Sequence, residues 1–268
     1  MGKKIVFIGA GNMAEAVINA LLSNAKYKRS EILASDINGK RLAYIRKKYG
    51  VAVEPDPARA CAEGKIVLLA VKPQQMEELL SYCGRFINKD SLVISIAAGI
   101  TTKFIENYLP EGTAVVRVMP NTPALVSMGA AGISKGKSAG KKALSAARGI
   151  FASAGLAVIV PESKLNAVTA LSGSGPAYIF YVAQLMEEAG LEMGLDGKTA
   201  SELARQTIAG AAAMLRGDGV SARELRMKVT SPGGTTEAAV KYMQENKLPG
   251  IFKNAMKKAK KRAGELAR

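Results

Sequence analysis

Residues 3–14 read Lys3-Lys4-Ile5-Val6-Phe7-Ile8-Gly9-Ala10-Gly11-Asn12-Met13-Ala14. A short apolar run, a glycine turn and a helical pattern follow one another without a gap. Asn12–Leu22 places Met13, Ala16, Val17, Ala20 and Leu21 on one broad helical face. Gly9-Ala10-Gly11-Asn12-Met13-Ala14 fits GxGxxA, and the strand before it and the helix after it give that pattern its specificity. Gly9 permits the tight turn, Gly11 lets the backbone approach a pyrophosphate, and Ala14 permits close packing of helix on sheet. The helix start would present Asn12, Met13 and their free amides to an anion. A glycine turn without a ligand is the plain alternative.

Outward from this turn, strands and helices alternate. Ile32–Ala34, Ile66–Ala70, Leu92–Ile96, Val115–Val118 and Ala157–Val160 read as strands, with a weaker one at Ala130–Ile133. Helical patterns fall at Arg41–Lys48, Gln74–Tyr82, Thr101–Leu109 and Ala139–Ser153. Short apolar strands joined by helical crossovers predict a mostly parallel sheet buried on both faces, an α/β doubly wound fold of the Rossmann type. The pattern changes at Pro161. Beyond it only helices are expected, over Glu162–Gly190, Asp196–Leu215, Ser221–Lys228, Gly234–Glu245 and Gly250–Ala267, with an interruption near Gly173–Pro176. Two domains are therefore expected: a dinucleotide-binding domain over residues 1–161 and an all-helical dimerisation and substrate-binding domain over 162–268. A helical half this small, rich in Ala, Gly and Met, is expected to form a homodimer.

Composition removes several classes of function. The 268 residues contain no histidine, so His-ligated zinc hydrolases and Ser-His-Asp or Cys-His enzymes are excluded. Cys61 and Cys83 make no CxxC pair, no metal site is expected, and two unpaired thiols are the preferred reading over a single disulfide. Lys3 and Lys4 precede too short an apolar run for a secretory leader, and no stretch approaches a membrane span; a cytoplasmic setting is expected. The net charge is +16, with seven Lys/Arg against one Glu in 251–268. No aromatic interleaving or reader motif accompanies them, so a solvated basic helix is expected rather than a nucleic-acid surface.

Candidate site residues gather at strand ends. Asp36, 22 residues beyond Ala14, stands where an acidic residue bonds adenosine ribose hydroxyls. Ser35, Asn38, Lys40 and Arg41 are nearby and can instead offer contacts to a 2′-phosphate. Ala70-Val71-Lys72-Pro73 and Ser95–Gly99 lie at the ligand-binding edge of the predicted sheet. Met119-Pro120-Asn121-Thr122-Pro123 holds polar groups in a stiff loop, either to position a ligand or as an ordinary turn. In the second half, Leu171–Tyr178 reads LSGSGPAY. Val229–Glu237 reads VTSPGGTTE, putting Gly233-Gly234 at a helix start with Thr235 and Thr236 in its first turn. That suits a carboxylate, and equally a capping box with Thr or Ser at the N-cap and Glu237 within the turn.

The stretches GAGNMA, AVKP, SIAAG, MPNTPALV, LSGSGPAY and VTSPGGTTEAAV, in this order, resemble pyrroline-5-carboxylate reductases over essentially the whole chain. That resemblance implies a Rossmann domain followed by a helical dimerisation domain. It implies reduction of L-1-pyrroline-5-carboxylate to L-proline with NADPH or NADH. By the same resemblance Gly9, Gly11, Asn12 and Met13 would hold the pyrophosphate, and Ser35 and Asp56 would lie near the adenosine. Ala70, Lys72 and Pro73 would border the cofactor, with Asn121 near the nicotinamide. Ser231, Gly233, Gly234, Thr235 and Thr236 would grip the substrate carboxylate, and Thr236 would stand by the ring nitrogen as the catalytic residue. The site would lie in an interdomain cleft, and dimers would assemble into a decamer. Asp36-Ile37 departs from NADPH-preferring members, which often carry a neutral or basic residue here; the choice of cofactor stays open. A related imine or 3-hydroxyacid reductase is the alternative. The latter needs a second-domain lysine, for which Lys164 is the candidate, and a nucleotide-sensing protein without turnover is a further one.

Overall fold

A computed structural model describes residues 4–217 and 219–267; Lys3 lies outside them. In chain order the elements are β1 (Ile5–Ile8), α1 (Asn12–Ser23), β2 (Ile32–Ser35), α2 (Gly39–Tyr49), β3 (Ala52–Glu54), α3 (Pro57–Glu63), β4 (Ile66–Leu69), α4 (Met76–Cys83), β5 (Leu92–Ser95), α5 (Thr102–Glu106), β6 (Ala114–Met119), β7 (Gly129–Lys135), α6 (Lys141–Ala152) and β8 (Gly155–Ile159). Helices follow: α7 (Leu165–Val168), α8 (Gly175–Glu192), α9 (Gly197–Leu215), α10 (Ala222–Lys228), α11 (Thr235–Glu245) and α12 (Leu248–Glu265).

The strands form one eight-stranded sheet in the order β3-β2-β1-β4-β5-β6-β7-β8. Chain order reverses direction across β1, so β2 and β4 flank it and the ends of all three strands open onto one edge. This is the topological switch point at which doubly wound sheets bind ligands. Alternate residues supply two cores. Ile5 and Phe7 pack with Val17, Leu21 and Ile45 on one face. Val6 and Ile8 pack with Leu69, Met76 and Leu80 on the other. Burial on both faces is why the strands read as unbroken apolar runs.

Two strands depart from parallel order. β7 runs antiparallel to β6, and β8 is parallel to β7. A parallel return needs a crossover of roughly a dozen residues or more, and the link over 120–128 is too short. The crossover from β7 to β8 goes through α6 and restores a parallel pair. At the far edge, β3 and α3 escaped the sequence reading. β3 has three half-buried residues, and α3 is a single short helix capped by Asp56, whose carboxylate accepts the Ala58 N–H at 2.9 Å, with Pro57 in its first turn.

Strand content ends before Pro161, as the periodicity predicts. Packing divides the chain elsewhere: one compact unit is Met1–Pro176 with Lys258–Arg268, and the second is Ala177–Lys257. Within the first unit Glu162 accepts hydrogen bonds from the Thr102 N–H (2.9 Å) and hydroxyl (2.8 Å), and pairs with buried Arg117 at 3.3 Å. The interruption expected near Gly173–Pro176 begins earlier, as a π-turn over Thr169–Gly173 closed by Ser174 N–H to the Thr169 carbonyl at 2.7 Å. In the second unit α8 and α9 meet where Gly190 lies against Ala200; a Cβ on Gly190 would come to 3.0 Å from that of Ala200. Within it the buried residues, among those described, are Gly190, Ala200 and Ala204.

Candidate active site

The turn between β1 and α1 is shaped by its neighbours. Gly9 has φ +93°, and a Cβ there would stand 2.7 Å from the Ala70 carbonyl oxygen. Only glycine fits, on both conformational and steric grounds. The Gly9 N–H donates to the Ser35 carbonyl at 2.8 Å, and Ala70 N–H donates to the Ile8 carbonyl at 2.7 Å, which draws the ends of β2, β1 and β4 together. Gly11 is the N-cap of α1 and supplies no side-chain cap, while a Cβ on it would meet nothing within 4 Å. The first amides of α1 are thus left for a ligand, with open space above them.

That space is a cavity of about 430 Å³, within the range of roughly 300–1,000 Å³ usual for small-molecule sites. Of the residues named from sequence, Gly9, Gly11, Ser35, Asp36, Ala70 and Lys72 line it. Asn12, Met13 and Pro73 adjoin lining residues in the chain, and Asp56 stands beside the lining Pro57. Ile37, named from sequence beside Asp36, also lines it, and the sequence reading missed Gln75, Glu78, Leu79 and Tyr82. The α4 residues among them follow AVKP directly, so the signal was present as proximity to that motif. Ile37 is 84% exposed, a large apolar side chain held in solvent at the cavity wall. The Ser35 hydroxyl is the reverse: buried, at the cavity, and without a hydrogen-bond partner among the described residues. An uncapped helix start, an open Gly11 and an orphaned buried hydroxyl together fit a dinucleotide.

Asp36 is fixed by two backbone amides. It accepts from Ala10 N–H at 2.8 Å and from Asn38 N–H at 2.9 Å. Arg41, offered from sequence as a phosphate contact, is engaged elsewhere. Its guanidinium donates to the Ala10 carbonyl and pairs with Glu15. Glu15 on α1 also accepts from Tyr49 (2.8 Å), Lys48 (2.8 Å) and Tyr44 (3.0 Å). Burial by itself would raise the Glu15 pKa, but the hydrogen bonds from Lys48, Tyr49, Arg41 and Tyr44 prevail and hold it down at about 2.

Asn121 is held by the protein itself. Its oxygen accepts the Ala130 N–H at 2.8 Å, and its amide donates to the Ser172 carbonyl at 2.9 Å. The side chain ties the Pro-flanked loop to β7 and to the π-turn, and it does not line the cavity. Cys61 and Cys83 also gain a meaning that sequence distance concealed. They are free, fully buried thiols with sulfurs 3.6 Å apart. The Cys83 contact, reinforced by burial, pushes the Cys61 thiol far above its usual pKa.

In the second unit the loop before α11 makes the other predicted cluster. Gly233 has φ +72°, and a Cβ on Gly234 would come to 2.5 Å from the Ser231 hydroxyl. Gly234, not Thr or Ser, is the N-cap, and no side chain caps the helix. Glu237 instead accepts the Gly233 N–H at 2.7 Å. Thr235 and Thr236 occupy the first two helical positions, and their hydroxyls have no hydrogen-bond partner among the described residues. The arrangement leaves the two hydroxyls at a helix start that no side chain caps. Lys164, the lysine a hydroxyacid dehydrogenase would need, is exposed.

A glycine-turn dinucleotide cavity at a switch point, followed by a helical unit with an anion-ready helix start, defines a nicotinamide-dependent oxidoreductase. Residues 162–266 match the family model described as pyrroline-5-carboxylate reductase dimerisation, and residues 4–99 match that described as NADP oxidoreductase coenzyme F420-dependent. The chain is 43% identical over 266 residues to the pyrroline-5-carboxylate reductase of Methanosarcina acetivorans, covering 99% of this chain and 98% of that one. It is 40% identical to that of Pseudomonas aeruginosa, over 98% of this chain and 97% of the relative. A solved pyrroline-5-carboxylate reductase from Coxiella burnetii superposes with a TM-score of 0.92 at 37% identity, over 100% of both chains. The chain belongs to the pyrroline-5-carboxylate reductase family.

Proposed function

We propose that this chain reduces L-1-pyrroline-5-carboxylate to L-proline with NAD(P)H, the last step of proline synthesis. The carrying observation is a pair of uncapped helix starts, one in each unit: α1 beside the glycine turn, and α11 with Thr235 and Thr236 unpartnered. When bound, the cofactor supplies a hydride. The α1 amides hold its pyrophosphate, Gly11 leaves it room, and Asp36 accepts from its adenosine ribose. Ile37 and Tyr82 give the adenine an apolar wall. At α11 the first-turn amides and the Thr235 hydroxyl hold the substrate carboxylate, in the favourable field of the helix start. Ser231, Gly233 and Gly234 shape that grip, with Glu237 pinning the Gly233 amide. The Thr236 hydroxyl donates to the ring nitrogen while solvent delivers the proton.

The chemistry makes small demands on side-chain acids. Hydride addition to a C=N bond builds an amine and no alkoxide, so positioning accounts for most of the acceleration. That agrees with a chain lacking histidine.

In this reading residues 1–161 serve the cofactor and 162–268 serve substrate and assembly. The protein works as a homodimer through its C-terminal helices, with five dimers forming a decamer, in the cytoplasm. Support for a partner lies in the second unit, where Phe180, Tyr181 and Leu185 are exposed on α8 and few residues are buried. Among the described residues no helix is long and apolar enough to cross a membrane.

The test is consumption of NADH and of NADPH by the purified protein, followed by nicotinamide absorbance. Oxidation that depends on added pyrroline-5-carboxylate is expected. No turnover with either cofactor overturns the reading, and turnover with a 3-hydroxyacid substrate instead favours the rival class.

A further inference from the structure

We propose that Asp36 makes this enzyme select NADH over NADPH. The inference rests on the dinucleotide reading of the cavity and adds to it the identity of the group at the ribose 2′ position.

Asp36 is the first residue after β2 and lines the cavity beside the glycine turn. Its two oxygens each accept one backbone amide, from Ala10 and Asn38, which fixes the carboxylate in place. The remaining lone pairs can accept only hydrogen-bond donors. Ribose hydroxyls are donors. A 2′-phosphate is an anion with acceptor oxygens, and placing it against a fixed carboxylate is unfavourable unless a cation intervenes.

The neighbouring cations do not intervene. Arg41 is committed to Glu15 and to the Ala10 carbonyl. Lys48 is committed to the same Glu15. Glu15 is ionised at neutral pH, so both cations stay with it. The Asn38 side-chain oxygen caps α2 by accepting the Arg41 N–H at 3.2 Å. Lys72 follows β4, on the opposite side of β1 from Asp36. Glu78 adds a second carboxylate to the lining. Arg59, near the lining Pro57, pairs with Asp56 at 3.6 Å, and Lys40 is exposed in the first turn of α2, outside the cavity lining.

The experiment is calorimetric titration of the full-length protein with NAD⁺ and with NADP⁺, alongside the reduced cofactors read by nicotinamide fluorescence. Wild type is expected to bind the NAD form about tenfold or more tighter than its 2′-phosphorylated counterpart. Asp36→Ser should reduce that ratio to about threefold or less, chiefly by strengthening NADP⁺. Asp36→Asn keeps an acceptor for the turn amide and should shift the ratio in the same direction. Melting temperatures near wild type identify folded variants. Lys40→Ala should leave the ratio unchanged. Equal or tighter NADP⁺ binding by wild type overturns the proposal while the dinucleotide site stands. So does an unchanged ratio in both folded Asp36 variants, or loss of NADP⁺ affinity in Lys40→Ala. Failure of the wild type to bind any of the four nucleotides overturns the proposal and the site together.

Discussion

Two glycines two positions apart do opposite work. Gly9 is required by the protein itself: its φ is +93° and the Ala70 carbonyl occupies the space a side chain would need. Gly9→Ala should therefore lower the melting temperature, by a loss of ~2 kcal/mol or more. Gly11 has ordinary extended backbone and open space above it. Gly11→Val should fold with near wild-type stability yet lose nucleotide binding on calorimetric titration, because the added carbons occupy the place of the pyrophosphate. Thr236 takes its role from the family resemblance, and it stands in the uncapped first turn of α11. Thr236→Ala should lower kcat/KM for pyrroline-5-carboxylate by ~10–100-fold, the loss of one hydrogen bond to a polar or charged partner. Nucleotide affinity should stay at the wild-type value, and Thr236→Ser should recover much of the rate. Unchanged steady-state constants in Thr236→Ala would remove the residue from the mechanism.

Among elements, α1 and α2 are joined by a carboxylate. Glu15 has its pKa held at about 2, below the ordinary 4.5. Its contribution to stability is complete above pH 4.5 and is lost as the pH falls toward 2. Glu15→Gln should lower the melting temperature at pH 7 and flatten its decline between pH 5 and 2; parallel curves for variant and wild type would show that Glu15 carries no linkage. The loop after β6 makes a comparable joint through Asn121. Asn121→Ala leaves the Ala130 N–H and the Ser172 carbonyl unpaired and should cost ~2–4 kcal/mol in chemical denaturation. A raised cofactor KM with unaltered stability would support a role for Asn121 at the cofactor instead. Strands β1, β2, β4 and β5 were legible because each is an unbroken apolar run covered on two faces. β3 was not, since an edge strand of three half-buried residues carries no period. The glycine turn and Asp36 were legible for the same reason as β1: their place in the chain dictates their place at the sheet edge. Leu79 and Tyr82 were not, because lining a cavity depends on packing that no local pattern encodes. Arg41 was read correctly as a nearby cation, but its engagement with Glu15 depends on how α2 lies against α1.

At the scale of the molecule, charge and surface tell different stories. The chain carries +16, yet the cavity lining includes Asp36 and Glu78 against Lys72. The net charge favours approach of anionic ligands from a distance, and the helix start of α1 must hold them on arrival. The apolar surface of the second unit is the clearer signal. Phe180 is 67% exposed on a helix whose one buried residue is Gly190. Phe180→Asp should shift the protein toward smaller species in sedimentation velocity and lower its melting temperature, since subunit contact and stability are linked by mass action. An unaltered sedimentation profile would place the dimer contact elsewhere.

The end of α12 also bears on how the first unit is made. A Cβ on Gly99, in the loop after β5, would stand 2.5 Å from the Leu266 carbonyl oxygen, and Lys258–Arg268 belongs to the same compact unit as Met1–Pro176. The nucleotide-binding unit is thus built from two chain segments separated by the whole of the second unit, and its contact between Gly99 and Leu266 is among the long-range ones that slow folding.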